Sequence, residues 1–382
     1  MNIIRYFDHA ATTGIKEEVL KEMLPFFSIE YGNPSSIYGI GRKAKRAIEN
    51  ARERVAKAIN AKPKEIYFTG CGSESDNLAI KGIAYASKNK GNHIITTKIE
   101  HHAVLNTCKS LENEGFKITF LNVDKDGIID LDELKEVITD KTILISVMSA
   151  NNEIGTIQPI KEIGKIAREK NICFHTDSVQ AIGNLKIDVQ DMKIDSLSLS
   201  AHKFYGPKGV GALYVREGIE FNKIQDGGHQ EKNKRAGTEN VAGIVGLGKA
   251  IEIANKNLEE NNSKIKELKD YYITEIEKRI PDAKLNGHKV KRLPGNANVS
   301  FKNVDGDEIL LKLDELGICV STGSACNSGT SEPSHVLTAI GLSKEYLNGS
   351  IRTTFGDKNK KEDVDFLINN MERIIKEIRK SK

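Results

Sequence analysis

Ile172-Cys173-Phe174-His175-Thr176-Asp177-Ser178-Val179-Gln180, followed by Asp195-Ser196-Leu197-Ser198-Leu199-Ser200-Ala201-His202-Lys203, is the stretch that decides the fold. Each half is a short strand-forming run that stops at ionisable residues, as a buried strand does when its end meets a polar pocket. The pattern recurs outward in Ile66–Thr69, His93–Thr97, Lys117–Leu121, Ile143–Ser149 and Gly211–Val215. Between the runs lie segments of helical spacing, such as Leu131, Leu134, Ile138 and Ile160, Ile163, Ile166, Ala167. Such alternation predicts an α/β fold with a mostly parallel seven-stranded sheet covered on both faces. Only the Gly-rich connection Gly206-Pro207-Lys208-Gly209 precedes Gly211–Val215, so this run is expected to enter as an antiparallel partner.

The flanks complete the plan. Before the sheet, Arg42–Asn60 reads as a basic amphipathic helix with Ala44, Ile48, Ala51, Val55 and Ile59 inward. After it, Leu247–Ile280 reads as one long helical stretch. A smaller α/β unit follows, with strands Ala297–Phe301, Ile318–Thr322 and Ser350–Thr354 and a closing amphipathic helix Glu362–Lys380. A chain of 382 residues exceeds the ~250–300 at which one core stops growing, so two domains are expected. The reading assigns 15–255 to the large domain, and 1–14 with 256–382 to the small one.

Composition narrows the function. Lys+Arg number 57 and Asp+Glu 53, a net charge of +4 spread along the chain, which argues against the clustered basic face of a nucleic-acid binder. No run approaches the ~18 apolar residues of a membrane span. The first residues acquire charge and glycine too early for a signal peptide, so a cytoplasmic globular protein is expected. The five cysteines form no Cys-x-x-Cys pair, which predicts neither a disulfide framework nor a metal site. Cys71, Cys108, Cys173 and Cys319 read as buried small hydrophobes. Cys326 differs, because Gly323-Ser324-Ala325-Cys326-Asn327-Ser328-Gly329 is loop sequence, and a thiol kept there implies chemistry.

Open parallel sheets bind ligands beyond the carboxyl ends of their strands, where the unusual residues of this chain gather. Gly70-Cys71-Gly72-Ser73 is a glycine turn into a helix, which suits an anion, though an ordinary strand-to-helix turn reads the same way. Glu100-His101-His102 brings two adjacent histidines, of which an extended backbone would aim only one at a pocket. Asp177 closes an apolar strand and calls for either a cationic partner or a helix start to cap. Lys203 follows a buried strand, where a desolvated amine becomes a Schiff-base former. An acid for a pyridine nitrogen, a lysine for an aldehyde and a glycine turn for a phosphate are together what pyridoxal 5'-phosphate demands.

In combination the motifs resemble the cysteine desulfurases, a group of class V aminotransferase-type enzymes with the fold type I architecture of pyridoxal-phosphate-dependent transferases. The resemblance is carried from Tyr6-Phe7-Asp8-His9 to Arg352 by Glu74-Ser75-Asp76-Asn77, Glu100-His101, Asn151-Asn152-Glu153-Ile154-Gly155, Ser200-Ala201-His202-Lys203, Arg235-Ala236-Gly237-Thr238, Gly323-Ser324-Ala325-Cys326 and Ser350-Ile351-Arg352. It implies that Lys203 holds the cofactor and moves protons, Asp177 pairs with the ring nitrogen, and His101 stacks on the ring and serves as an acid/base. By the same resemblance Asn152 and Gln180 address the phenolic oxygen. Gly72, Ser73, Ser200 and His202 bind the phosphate, joined by Thr238 of the other subunit of a homodimer. Arg352, with Asn152, binds the substrate, and Cys326, on a loop of the small domain, takes its sulfur as a persulfide. The implied reaction converts L-cysteine to L-alanine and passes sulfur to an iron–sulfur scaffold protein or another acceptor. A selenocysteine or cysteine-sulfinate lyase, and a donor mainly for tRNA thiolation, are the alternatives. The chain departs from the group's usual Glu-Arg-Gly-x-Arg at Glu231-Lys232-Asn233-Lys234-Arg235, where a lysine does not reproduce an arginine fork.

Overall fold

The structure is a computed structural model that describes residues 4–322 and 333–381. Its strands are β1 (Arg5–Tyr6), β2 (Ile66–Thr69), β3 (His93–Thr97), β4 (Lys117–Leu121), β5 (Thr142–Ser146), β6 (Cys173–Asp177), β7 (Ser196–Ser200), β8 (Gly211–Val215), β9 (Ala283–Leu285), β10 (Asn296–Phe301), β11 (Ile318–Cys319) and β12 (Ser350–Thr354). Seven of them form the large sheet in the order β2-β8-β7-β6-β5-β3-β4, in which β8 alone runs against its neighbours. The predicted parallel sheet with one reversed strand is therefore present.

Alternation along the strands packs both faces of this sheet. Ile95, Ile145, Phe174, Leu197 and Tyr214 face one side, under helices Gly39–Ala58, Ile160–Glu169 and Val241–Lys256. Ile94, Leu144 and Leu213 face the other, under Gly72–Ala86 and His102–Glu112. Because both faces are covered, every residue of β3, β5, β7 and β8 is buried. A buried polar ladder crosses the middle: His175 Nδ1 lies 2.9 Å from Ser146 Oγ, and its Nε2 lies 3.0 Å from Ser198 Oγ. Burial lowers the His175 pKa to about 3, so the ring is neutral.

A second core gathers on the three-stranded antiparallel sheet β12-β10-β9. Helices Leu258–Arg279, Gly306–Asp314 and Lys361–Lys380 cover it through Tyr272, Ile276, Ile309, Leu313, Leu367 and Met371. Two expectations are corrected here. The long helix predicted over Leu247–Ile280 breaks at Asn257, which leaves helical geometry (φ −104°, ψ 14°), because the two halves serve different cores. The run Ile318–Thr322 keeps only two strand residues, and these pair in parallel with β1 rather than joining the small sheet. Phe7 thereby reaches the second core, tying the N-terminal segment to it.

Candidate active site

The carboxyl ends of β2, β3, β5, β6 and β7 open onto a cleft with about 360 Å³ of free volume. Gly72, Ser73, His101, Asn152, Asp177, Gln180, Ser200, His202, Lys203 and Arg352 all line it, far apart in sequence but brought together by the topology. Thr238 does not line its own chain's cleft and is exposed. Cys326 lies outside the described residues.

Asp177 ends β6 and is buried; its Oδ1 accepts from the Val179 N–H at 2.9 Å. A residue-to-i+2 bond of this kind closes a turn. Ser178–Gly183 is turn rather than helix, so helix capping is not what Asp177 does. Burial raises its carboxyl pKa to about 6, opposed by the Val179 N–H and the Lys203 charge. Lys203 closes a single helical turn, Ala201–Lys203, at the end of β7. Its Nζ donates to the carbonyls of Ala10 (2.5 Å) and Ala11 (2.7 Å), and Gln180 Nε2 donates to Ala10 at 2.9 Å. The N-terminal segment thus forms one wall of the cleft.

His101 caps the helix His102–Glu112, its Nδ1 accepting from the Ala103 N–H at 3.1 Å. The proton of the neutral ring therefore sits on Nε2. Burial, then the Lys203 and His102 charges, hold the His101 pKa down at about 4. His202 is held at about 4 by burial and then by Lys203 and Lys208. Both rings are neutral near pH 7 in the protein alone. His102 lines the cleft as well, which corrects the expectation that only one histidine of the pair would: His102 begins a helix, so the extended-strand alternation does not apply.

Arg352 projects from β12 and is nearly fully buried. Its Nη2 lies 2.8 Å from Asp8 Oδ1, its Nη1 donates to the Asn152 carbonyl at 3.2 Å, and its buried Nε has no hydrogen-bond partner among the described residues. Asn151 fixes the Asn152 loop by accepting from the N–H groups of Glu153 and Ile154 and donating to the Ile99 carbonyl at 2.8 Å. Beside Arg352, Glu153 accepts from Ser334 Oγ at 2.5 Å, and burial raises its pKa to about 7.

Sequence reasoning missed several cleft residues. Asp76, on the helix Gly72–Ala86, is fully buried beside Asp177; burial and then that second carboxylate drive its pKa well up. Its place one turn after the glycine turn was the available signal. Glu153 stood in a quoted motif without a role, as did Asp8, which meets Arg352 without lining the cleft. His335, 3.0 Å from the Glu100 carbonyl through Nε2 and tilted 48° against the His102 ring at 4.8 Å between centroids, offered no signal. Cys71 corrects another expectation: it is exposed and lines the cleft, because as the N-cap of the helix its Sγ turns outward to accept from the Glu74 N–H at 3.4 Å.

Comparison with known proteins agrees with this geometry. The family model "Aminotransferase class-V" matches residues 5–367. A protein of Clostridium botulinum named cysteine desulfurase IscS is 58% identical over 99% of this chain and 96% of its own length. Among solved structures, a "NifS-like protein" superposes with a TM-score of 0.93 at 38% identity, covering 98% of this chain and 100% of that one. Another, described as "SspA in complex with cysteine", gives 0.82 at 41% identity, covering 92% and 99%. The chain belongs to the class-V aminotransferase family, within its cysteine desulfurase group.

Proposed function

We propose that the cleft holds pyridoxal 5'-phosphate and removes sulfur from L-cysteine, giving L-alanine and a persulfide on Cys326. The observation that carries this reading is the convergence on one cleft of a lysine, a buried acid and a glycine-lined helix start. The residues fit the group. A Cβ on Gly72 would come within 2.7 Å of Val179 Cγ2 and 3.4 Å of Ser200 Cβ, so the backbone there is open only because it is glycine. Gly72 and Ser73 open the helix Gly72–Ala86, where first-turn N–H groups have no partner within the helix, and they line the cleft together with Ser200 and His202. When bound, the cofactor supplies an electron sink that withdraws electrons from the substrate carbons.

The chain's own groups do the rest. The Arg352 guanidinium takes the substrate carboxylate, and its buried, unpartnered Nε marks unused donor capacity in this setting. Asp177, ionised once a cation faces it, keeps positive charge on the ring nitrogen. Lys203 Nζ moves the proton at the substrate Cα. Neutral His101 exchanges a proton at Nε2. The Cys326 thiolate attacks the substrate sulfur: the S–S bond forms, the Cβ–S bond breaks, its electron pair returns to the carbon skeleton, and a proton completes the alanine methyl group. A sulfinate or selenocysteine lyase does not require that thiol.

The large unit over 15–255 carries the cleft, and the unit formed by 1–14 and 256–382 carries Cys326. A homodimer completes the site with Thr238 of the partner subunit. The apolar face that Phe27, Ile29, Tyr31 and Ile37 leave exposed supports this association. The persulfide passes to an iron–sulfur scaffold or another thiol acceptor in the cytoplasm, where thiols stay reduced. The test is production of alanine and sulfide in equal amounts from L-cysteine and a thiol reductant by the cofactor-loaded protein. Lys203→Ala should abolish both; activity that survives it would refute the assignment.

A further inference from the structure

The segment leading to Thr238 is fastened to the large sheet through residues that line no part of the cleft. Glu231, Lys232 and Asn233 are consecutive non-glycine residues in left-handed conformation, at φ 44°, 58° and 62°. Side chains disfavour this conformation at each position, and it persists only where surrounding contacts over-determine it. Here the contacts are explicit. The buried Glu231 carboxylate meets Arg52 as a fork, Oε2 at 2.7 Å from Nη1 and Oε1 at 2.8 Å from Nη2. Its Oε2 also accepts from the Phe68 N–H of β2 at 2.9 Å, and Arg52 Nη1 donates to the Ile66 carbonyl at 2.8 Å. Lys232 Nζ donates to the Lys64 carbonyl at 2.7 Å and lies over the Tyr67 ring. The outer edge of β2, which has no strand beyond it, is thereby closed by side chains. Past the turn, Arg235 Nε meets Glu74 Oε1 at 2.7 Å, and the chain runs on to exposed Thr238.

Resting on the proposed role of Thr238 in the partner subunit's site, we infer that the Arg52–Glu231 pair is a positioning device that holds this arm for the partner's cofactor phosphate. The pair sets the left-handed turn, the turn aims the arm, and the arm presents Thr238. Its effect therefore belongs to the other subunit's cleft.

Hybrid dimers of two differently tagged chains test this. One chain carries Lys203→Ala, so the absorbance of Lys203-bound cofactor reports the other chain's site alone while pyridoxal phosphate is titrated into the cofactor-free hybrid. Glu231→Gln in the Lys203→Ala chain should weaken the reporting site about tenfold, the loss of one well-placed charge-assisted contact. The same substitution in the reporting chain should leave affinity within about twofold, because Glu231 does not line its own chain's cleft. Should Glu231→Gln fail to fold, Arg52→Met with Glu231→Met fills the same buried space with apolar groups and enters the same comparison. Equal weakening in both arrangements, or weakening only within the reporting chain through Arg235 and Glu74, would overturn the inference. Thr238→Val across the interface separates the two claims. If it weakens the site while Glu231→Gln does not, the positioning role fails and the reading of Thr238 stands. If neither does, that reading fails and the inference falls with it.

Discussion

At Glu100 one carboxylate oxygen accepts from Thr97 Oγ1 (2.8 Å) and the Met148 N–H (3.0 Å), while the other is buried without a partner. Burial raises its pKa from the usual 4.5 to about 8, so the folded protein keeps a proton that the unfolded chain releases above about pH 4.5. Stability from this group is full below that pH and is lost as pH rises toward 8. Glu153 and Asp177 add slopes of the same sign over narrower ranges, to about 7 and about 6. Glu100→Gln keeps the two accepted bonds and removes the titration. The cofactor-free variant should therefore gain on the order of 3 kcal/mol over wild type at pH 8 and almost nothing at pH 4. Thermal melts at the two pH values measure this, and parallel curves would show that Glu100 is ionised in the fold. Arg352 makes a different prediction. Lysine cannot reproduce its fork, so Arg352→Lys should lower kcat/KM for L-cysteine by about 10- to 100-fold, chiefly through KM. An unchanged KM would remove Arg352 from the substrate carboxylate.

Strand-to-helix junctions are where the elements make the site. Gly72→Ala places a methyl group against Val179 Cγ2 at a separation real side chains do not adopt, so the junction must shift. Its affinity for pyridoxal phosphate should fall about tenfold or more while the far-ultraviolet circular dichroism is unchanged. Retained affinity would mean that the phosphate lies elsewhere. The same junctions explain what the sequence made legible. The strands Ile66–Thr69, His93–Thr97, Lys117–Leu121 and Gly211–Val215 are read at their exact bounds; those buried on both faces, His93–Thr97 and Gly211–Val215, stop where charge follows at Lys98 and Arg216. Lys203 and Asp177 were singled out because a charge beside an apolar strand has few uses, whereas Arg352 was named only through the family resemblance. Asp76 was not singled out, since a helix position does not reveal which side carries a pocket until the sheet is assembled. His102 and Cys71 were misread because only two residues separate β2 from its helix and four separate β3 from its own, so that Cys71 is an N-cap and His102 a first helical residue rather than parts of an extended run. The break at Asn257 was invisible for a related reason: two amphipathic helices that serve different cores read as one when joined end to end.

For the whole molecule, the proposed homodimer joins two exposed features: the second subunit would cover the apolar residues from Phe27 to Ile37, and Thr238 would complete that subunit's cleft. Ile37 is 88% exposed, so Ile37→Asp should leave the fold of a single chain intact. It should shift the sedimentation profile toward monomer and weaken cofactor binding together, and a monomer with unaltered affinity would break that link. The central claim is the transfer of sulfur from L-cysteine to Cys326. The measurement that tests it most directly is a single turnover of the cofactor-loaded protein with L-cysteine and no reductant, following alanine and the mass of the Cys326 peptide. The account predicts about one alanine per active cleft, with one added sulfur atom on Cys326, and loss of both in Cys326→Ser. Alanine released with free sulfide by Cys326→Ser at the wild-type rate would contradict it, and would make the chain a direct lyase.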